Sequence, residues 1–354
     1  MSQPVPHINA LATATPDHDI HAAFIGWARE QLSDPRERAL FERMAKRAEI
    51  GHRWSVLPKT ADGGSPIAPG GFYADGMPPT SARMAVYGKA APELAEAAVR
   101  GLPHLSGITH LVVASCTGFT APGIDQLLAD RLGLPGTIER VLVGFMGCYG
   151  AVTALRTARH IVRSEPDARV LVVTVELSTL HLQPEAALEP LLAMLLFGDG
   201  AAAALVTADK AGMTLEAPFS ATLPDSGELI QWAVGDTGFA MHLSGEVPGL
   251  IAEALSDGGF REALCGGAPC EAIDGWAVHA GGRSILDAVQ KGLELDPGAL
   301  DVSRSVLGDH GNMSSATLMF ALERVMAGPP VERGVALAFG PGLAAEGFGF
   351  SSAS

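Results

Sequence analysis

The stretch ERVLVGFMGCYGAVTALRTARHIVRSE, residues 139–165, carries the clearest structural signal in the chain. Its first seven residues form an apolar run that predicts a buried strand, and residues 149–165 predict a long helix. Cys148 lies at the junction between the two, with Gly147 and Gly150 on either side. Small flanking residues permit a sharp turn and the close approach of a substrate. A strand, a turn and a helix in this order are typical of an α/β protein.

The same alternation continues on both sides of this stretch. Further strands are predicted at 108–115, 168–177, 272–279, 334–340 and 345–352, and helices within 20–50 and at 81–102, 125–134, 282–293 and 312–327. Continuous apolar strands suit a sheet that is buried on both faces. We therefore predict two α/β halves, residues 1–208 and 209–354. The Gly- and Pro-rich residues 51–80 predict an irregular loop.

Composition and charge exclude several classes of protein. Hydrophobic residues make up 47% of the 354 residues, which is enough for a large core and excludes global disorder. The formal net charge of −15 argues against a nucleic-acid partner, because nucleic-acid binders carry a basic field. The longest apolar runs, such as residues 191–197, are far too short to span a membrane. The N-terminal residues have no signal-peptide pattern.

The cysteine content predicts a reduced, cytoplasmic protein. The four cysteines are Cys116, Cys148, Cys265 and Cys270. They are too few for a disulfide scaffold, and no CxxC pair indicates a zinc site. We expect no metal, and the sequence assigns no role to Cys265 or Cys270.

Three residues are candidates for chemistry. Cys148 is predicted at a helix N-terminus, where the helix dipole lowers the pKa of a thiol and favours a nucleophilic thiolate; the alternative is an inert buried cysteine. His279, in WAVHAGG, ends a predicted strand and is either a base or a hydrogen-bonded core histidine. Asn312, in DHGNMSS, either caps a helix or donates to a developing oxyanion.

Taken together, these three residues favour the catalytic interpretation. Each is predicted to lie where a strand passes into a helix, next to a glycine. In an α/β fold such junctions gather at one edge of the sheet, where active sites form. Cys148, His279 and Asn312 then supply a nucleophile, a base and an oxyanion donor.

A set of motifs in the right order resembles the type III polyketide synthases, the chalcone-synthase-like family, and within it the bacterial-type members. The motifs are CTGFTAPGID (116–125), GCYG (147–150), LLFGDGAAAAL (195–205), WAVHAGG (276–282), GDHGNMSSA (308–316) and AFGPGL (338–343). The resemblance covers nearly the whole chain. It implies a thiolase-like duplicated αβαβα fold in five layers, and a homodimer.

The resemblance also implies an activity. Cys148 matches the nucleophile that takes an acyl group from an acyl-CoA starter. His279 and Asn312 match the pair that polarises the thioester carbonyl and stabilises the enolate formed from malonyl-CoA. Repeated condensation and cyclisation would give a pyrone, resorcinol or phloroglucinol type of product. Coenzyme A thioesters are the substrates, and no cofactor is expected.

Five further residues match cavity positions of the family. Phe197 matches the aromatic gatekeeper between the coenzyme A tunnel and the acyl cavity. Cys116, His181, Trp232 and Met241 match positions on the cavity wall. A Trp at position 232 is typical of bacterial members and departs from the small residue of plant chalcone synthases.

A basic stretch at residues 41–53 resembles the segment that binds coenzyme A phosphates. It contains Arg43, Lys46, Arg47 and Arg53 in an otherwise acidic chain. Arg43 and Arg47 are four residues apart and so share one helix face. The alternative is a solvated helix face.

Two other functions stay open at this point. A ketoacyl synthase III also uses Cys, His and Asn, for a single condensation with malonyl carrier protein, but it typically has His-Gln-Ala-Asn where this chain has HAGG at 279–282. A non-catalytic thiolase-fold subunit would be expected to lose the nucleophile, and Cys148 is present. The starter is not determined; the bacterial-type features favour an aliphatic acyl group or malonyl-CoA itself.

Overall fold

The computed structural model describes residues 4–353, which form thirteen strands and eleven helices. The strands are β1 (His7–Ala14), β2 (His18–Asp19), β3 (Trp54–Ser55), β4 (His110–Ser115), β5 (Glu139–Gly144), β6 (Val170–Leu177), β7 (Asp199–Thr207), β8 (Met213–Thr222), β9 (Ile230–Gly235), β10 (Gly238–Leu243), β11 (Gly275–Val278), β12 (Gly334–Gly340) and β13 (Ala344–Ser352).

The helices are α1 (His21–Gln31), α2 (Pro35–Arg47), α3 (Thr80–Arg100), α4 (Ile124–Arg131), α5 (Gly150–Ser164), α6 (Leu188–Met194), α7 (Val247–Ser256), α8 (Gly258–Leu264), α9 (Arg283–Gly292), α10 (Asp301–His310) and α11 (Ser315–Ala327). Within residues 4–353, none of them is both long enough and apolar enough to cross a bilayer.

Nine strands form one sheet in which the same pattern occurs twice. The strand order is β11-β12-β13-β8-β1-β7-β6-β4-β5. In the N-terminal half, β4 and β6 are parallel, and β7 and β1 follow antiparallel. In the C-terminal half, β11 and β12 are parallel, and β13 and β8 follow antiparallel. Pairing of β1 with β8 joins the halves, so the topology is that of an internal duplication.

Helices cover both faces of each half, which gives five layers. Helices α5 and α11 contact each other and form the middle layer, where Leu155 and Leu318 share a core with Val112 of β4 and Ala336 of β12. Helices α3 and α4 cover the outer face of the N-terminal strands, and α7 and α9 cover that of the C-terminal strands. The buried apolar strands β4, β6 and β12 reflect this double covering. The predicted αβαβα arrangement is confirmed.

The sequence analysis missed β1 and the β9–β10 hairpin. The segment HINALATA of β1 contains three alanines, which have low strand propensity, and no continuous apolar run. It is extended because it pairs with β7 along its length and with β8 at its start. The β1 segment is a strand because of tertiary pairing, which local sequence patterns do not reveal.

Candidate active site

Cys148 lies in a tight turn between β5 and α5, as the sequence predicted. Residues Gly147–Tyr149 form a single 3-10 turn, and α5 begins at Gly150. Gly147 has φ +67°, and a Cβ there would clash with the ring of Pro341. Phe145 also has a positive φ of 54°. Glycine adopts this conformation without strain, whereas a non-glycine residue such as Phe145 pays about 1–3 kcal/mol, and such strain is typical of functional turns. The turn presents Cys148 half-buried above the first turn of α5.

Asn312 does not follow a strand, so this part of the sequence prediction was wrong. It lies between α10 and α11, and its backbone bridges to that of Phe197. The backbone N–H of Asn312 donates to the carbonyl of Leu196 at 2.8 Å. Gly311 has φ +68°, and a Cβ there would lie 2.7 Å from the Leu196 oxygen. The HGN sequence therefore fits a close approach of two loops.

The Asn312 side chain is held in one orientation. Its Oδ1 accepts from the backbone N–H of Ser314 at 2.8 Å, and its Nδ2 donates to the carbonyl of Gly281 at 3.1 Å. Burial raises the pKa of the Cys148 thiol, and the Asn312 side chain opposes that rise. With its oxygen occupied, the amide can only donate towards the nucleophile.

His279 directly follows β11, and its ring is buried without a hydrogen bond. Its backbone N–H donates to Leu337 at 2.8 Å, and the residue is 1% exposed. Among residues 4–353, neither Nδ1 nor Nε2 of His279 has a partner. A Cβ on Gly281 would lie 3.5 Å from the ring, so Gly281 separates His279 from Asn312. Buried polar atoms are normally paired, and two unpaired ring nitrogens point to a substrate partner.

Burial sets the charge states at this site. It lowers the pKa of His279 to about 3, so the imidazole is neutral. It raises the pKa of Cys148 to about 12, and the hydrogen bonds from Ser314 and Asn312 oppose that rise only in part. The expected lowering of the Cys148 pKa by the helix terminus was wrong, because desolvation outweighs it. The resting pair is a neutral thiol and a neutral imidazole.

A buried glutamate that the sequence analysis missed lies behind the nucleophile. Oε2 of Glu176 accepts from the Cys116 backbone N–H at 3.0 Å and from Thr117 Oγ1 at 2.8 Å, and Oε1 accepts from Ser315 Oγ at 2.5 Å. Burial raises the pKa of Glu176, and its hydrogen bonds oppose the rise. A lone Glu in the apolar run of β6 was the available signal, since an unpaired charge is not buried there.

Cys116 connects this network to the nucleophile. Its sulfur lies 3.2 Å from Ser314 Oγ, which lies 3.8 Å from the Cys148 sulfur. Its carbonyl accepts from the indole N–H of Trp232 at 2.8 Å. Cys116 does not line the cleft that contains Trp232. Its contact with the Trp232 indole places it directly behind the wall of that cleft.

Four of the predicted cavity residues share one cleft, which we call the apolar cleft. Phe197, His181, Trp232 and Met241 all line it. The remaining lining includes Ile20, Ala23, Phe24, Leu57, Pro66, Ile67, Tyr73, Leu182, Pro190, Met194 and Phe239. Most of these side chains are apolar, so the cleft suits a hydrophobic group.

An aromatic cluster forms the wall of the apolar cleft. His181 stacks on Phe239 with ring centroids 4.2 Å apart and meets Trp232 edge-on at 5.3 Å. Its Nε2–H donates to the Thr117 carbonyl at 2.6 Å, and Nδ1 accepts from the Phe239 N–H at 3.1 Å. Burial lowers the pKa of His181 to about 4. Phe239 was missed, because only the β9–β10 pairing brings that strand to the site.

A second cleft, here called the entry cleft, lies beside the loop that carries Gly281. It is lined by Arg47 at the end of α2, by Arg283 and by Gly281, which contacts Asn312. Arg283 was missed by the sequence analysis. Arg43 is exposed on the same helix but does not line the entry cleft.

Arg53 does not belong to this basic surface, so its place in the predicted phosphate-binding stretch was wrong. It is 2% exposed and donates to the carbonyls of Met194 and Phe197 at 3.0 and 2.8 Å. Its Nε donates to His21 at 2.9 Å. Arg53 thus supports the loop that carries Phe197.

Metal ligands are not clustered at this site. In the described range, residues 4–353, no group of three or more His, Cys, Asp or Glu side chains could hold an ion.

Comparison with known proteins identifies the family. The model for the N-terminal domain of chalcone and stilbene synthases matches residues 3–210, and the model for the C-terminal domain matches residues 214–353. The chain belongs to the chalcone and stilbene synthase family. It is therefore a type III polyketide synthase, an acyltransferase that performs decarboxylative condensation. This family assignment favours a type III polyketide synthase over the ketoacyl synthase III alternative.

Relatives with curated names and solved structures agree with this assignment. Type III polyketide synthase A of Arabidopsis thaliana is 32% identical over 98% of this chain and 89% of its own length. Type III polyketide synthase 21 of Oryza sativa subsp. japonica is 35% identical over 89% of this chain and 84% of its own. PKS-I from the brown alga Ectocarpus siliculosus has a TM-score of 0.89 at 28% identity, with 99% of both chains covered. The fold is the predicted thiolase-like one.

Proposed function

We propose that Cys148 is the acyl-carrying nucleophile of this polyketide synthase and that His279 and Asn312 polarise its thioester substrates. The supporting observation is a fixed Asn312 side chain close to an unpaired His279 ring, with Gly281 between them. The amide of Asn312 is held by Gly281 and Ser314 and donates towards the sulfur. The neighbouring ring of His279 keeps both nitrogens unpaired within the described chain.

Loading of the acyl starter begins with the Cys148 thiol and the His279 imidazole both neutral. The Cys148 sulfur attacks the carbonyl carbon of an acyl-CoA, and His279 accepts the thiol proton as the new C–S bond forms. The Asn312 amide donates to the oxyanion that develops. The intermediate collapses, the C–S bond to coenzyme A breaks, and the departing thiolate takes the proton from His279. Because the Cys148 thiol is not ionised at rest, the base acts during the attack.

Extension uses the same two donors. Loss of carbon dioxide from malonyl-CoA leaves an electron pair that spreads onto the thioester oxygen as an enolate. The N–H groups of His279 and Asn312 stabilise this oxygen by about 3–4 kcal/mol per donor. The enolate carbon then attacks the acyl group on Cys148, and the cysteine sulfur leaves. The lengthened chain, now on coenzyme A, returns to Cys148 for the next round.

The two clefts bind different parts of the substrate. The entry cleft offers Arg47 and Arg283 to the phosphates of coenzyme A, and the apolar cleft receives the acyl chain. Leu196 lines the entry cleft, whereas the next residue, Phe197, lines the apolar cleft. This placement supports the proposed gatekeeper role of Phe197 between the two.

The chemistry of the apolar cleft favours an aliphatic starter. Its lining reaches from Trp232 and Phe197 to Phe24 and Ile67, and apolar side chains outnumber the polar ones, which include Gln183 and Glu185. We propose that an aliphatic acyl-CoA is loaded, extended more than once with malonyl-CoA, and closed to a pyrone, resorcinol or phloroglucinol type of product.

We further propose a homodimer built on β5. This strand is the last of the nine-stranded sheet, and Val141 and Leu142 on it are exposed. Phe119, Phe145 and Val234 are also exposed large hydrophobic residues. A long exposed apolar edge strand is an aggregation site unless a partner covers it. A second copy of the chain, pairing along the same strand, would cover it.

The experiment is product analysis of the purified protein by mass spectrometry. The protein is given malonyl-CoA alone and with acyl-CoAs of increasing chain length, beside a Cys148→Ala control. We expect Cys148-dependent pyrones or phenolic rings, with aliphatic starters preferred. Turnover of aromatic starters only would contradict the starter proposal. Activity that requires malonyl carrier protein would contradict the mechanism.

A further inference from the structure

A second pair of thiols lies outside the active site. The sulfurs of Cys265 and Cys270 are 2.8 Å apart, and each residue is 6% exposed. Cys265 follows the last residue of α8, and Cys270 begins a 3-10 turn that precedes β11. The proposed mechanism uses neither thiol. Their contact joins the end of α8 to the 3-10 turn that follows it five residues along the chain.

The loop between these cysteines is shaped for the contact. Gly266 and Gly267 have φ values of 62° and 81°, the left-handed region that glycine adopts most readily. Pro269 precedes Cys270. These residues turn the chain back on itself within five positions. Gly266 and Gly267 are exposed, so the pair lies directly beneath the surface.

The two sulfurs differ in their electrostatic surroundings. The Cys270 side chain raises the pKa of the Arg261 guanidinium, which also donates to the Leu293 carbonyl at 3.0 Å. A neighbouring guanidinium stabilises a thiolate, which is the nucleophilic form of cysteine. Burial raises the pKa of Cys265 to about 12, so that thiol keeps its proton. Cys270 is therefore the attacking sulfur and Cys265 the resolving one.

We propose that Cys265 and Cys270 form a redox modification site that closes reversibly to an intramolecular disulfide. The oxidant is a hydroperoxide. The Cys270 thiolate attacks the peroxide oxygen, the O–O bond breaks, and a sulfenic acid forms with release of water or an alcohol. The Cys265 thiol then attacks that sulfur, and the sulfenic oxygen leaves as water while the S–S bond forms. Two thiols lose two electrons, and the peroxide gains them. A dithiol reverses the reaction by exchange.

The disulfide would act as a local staple. The existing contact is close to the bonded S–S distance of about 2.05 Å, so closure needs little movement of α8 or β11. A cross-link restricts the unfolded chain and stabilises the folded one. It would fasten the end of α8 to the segment that leads to His279. Cys116 and Cys148 contact Ser314 instead and take no part.

Peptide mapping of the full-length protein tests the site. The reduced protein is treated with hydrogen peroxide, free thiols are alkylated, and the digest is analysed by mass spectrometry with Cys148→Ala as the matched control. We expect both proteins to give one peptide joined at Cys265 and Cys270, lighter by about 2 Da and restored by dithiothreitol. Full alkylation of both cysteines after peroxide would overturn the proposal, as would oxidation to sulfinic or sulfonic acids without a disulfide.

A thermal-shift comparison tests the staple. Oxidation should raise the Tm of the wild-type protein by about 2–4 °C, whereas the Tm of Cys270→Ser should not change. Should Cys270→Ser fail to fold, the wild-type protein before and after dithiothreitol provides the same comparison. A disulfide that forms with no change in Tm would overturn the stabilising role.

Discussion

At the scale of single residues, the nucleophile shows two physical effects in competition. A cysteine at a helix N-terminus is stabilised as a thiolate by the backbone N–H groups. The same cysteine, when desolvated, is stabilised as a thiol. For Cys148 desolvation is the larger effect and raises its pKa to about 12. Because burial keeps His279 neutral as well, catalysis needs proton transfer during attack rather than a preformed ion pair.

The first prediction concerns the ionisation of Cys148. Well below a pKa near 12, the thiolate fraction rises tenfold for each pH unit. The alkylation rate of Cys148 by iodoacetamide should therefore rise about tenfold per unit from pH 6 to pH 9. The measurement is the time course of the modified Cys148 peptide by mass spectrometry. A rate that levels off near neutral pH would show a lowered pKa and contradict the neutral pair.

The second prediction concerns Asn312. In Asn312→Asp the side chain keeps its shape but has no N–H for the Gly281 carbonyl or the enolate oxygen, and its charge opposes the enolate. Release of carbon dioxide from malonyl-CoA should fall about 10²–10³-fold. Asn9, whose amide donates to Asp209 and Ala211 carbonyls, is the chain's other asparagine, and Asn9→Asp is the matched control. Equal losses in both variants would refute a specific role for Asn312.

At the scale of elements, the edge strand β5 differs from every other strand of the large sheet. Its neighbour β4 is buried throughout, whereas β5 is exposed along most of its length. The strand leads directly into the Cys148 turn. A partner that covers β5 would therefore hold the nucleophile's turn in place.

The third prediction tests this surface. Leu142→Asp places a charge on the exposed apolar edge, and burial of an unpaired carboxylate in an interface is strongly unfavourable. Sedimentation velocity should show the wild-type protein as a dimer and Leu142→Asp as a monomer. Val5, an exposed residue on a different segment, provides the control Val5→Asp, which should stay dimeric. A monomeric wild-type protein would rule out the proposed interface.

At the scale of the whole molecule, buried neutral histidines couple folding to pH. Burial lowers the pKa of His21, His181 and His310 from 6.5 to about 4. It lowers the pKa of His279 from 6.5 to about 3. Below pH 6.5 the unfolded chain binds protons that the folded chain does not. The stability that these residues contribute is therefore present above pH 6.5 and lost as the pH falls towards 4. Asp199, with its pKa raised to about 7, and Glu176, whose pKa burial also raises, act in the opposite direction but are two groups against four.

The fourth prediction follows from that balance. The Tm should fall steadily between pH 7 and pH 5. Each of these histidines lowers the free energy of unfolding by up to about 1.4 kcal/mol per pH unit as the pH falls. Differential scanning fluorimetry across this range measures it. In His310→Gln one such group is removed, and the fall should be shallower. A Tm that rises on acidification would show that Asp199 and Glu176 outweigh the histidines.

Local sequence patterns were sufficient for most of the architecture and for the central residues of the site. Apolar runs predicted β4, β6 and β12 because these strands are covered on both faces, and the Gly-flanked motif predicted the Cys148 turn. The resemblance to the family supplied Phe197 and the cavity positions. The cytoplasmic location, the boundary between residues 208 and 209 and the individual catalytic roles stay predictions.

Only the tertiary structure decided the charges and the partners of the site residues. A pKa depends on what surrounds a group in three dimensions, so the sequence placed Cys148 at a helix terminus but did not report its desolvation. Phe239 and Glu176 reach the site from strands that are remote in sequence. Arg53, which follows α2, is buried, although Arg43, Lys46 and Arg47 on that helix are exposed. The sequence determined the fold and the candidate catalytic residues because local sequence patterns specify both. Burial and long-range contacts, which exist only after folding, determined how those residues are charged and what they touch.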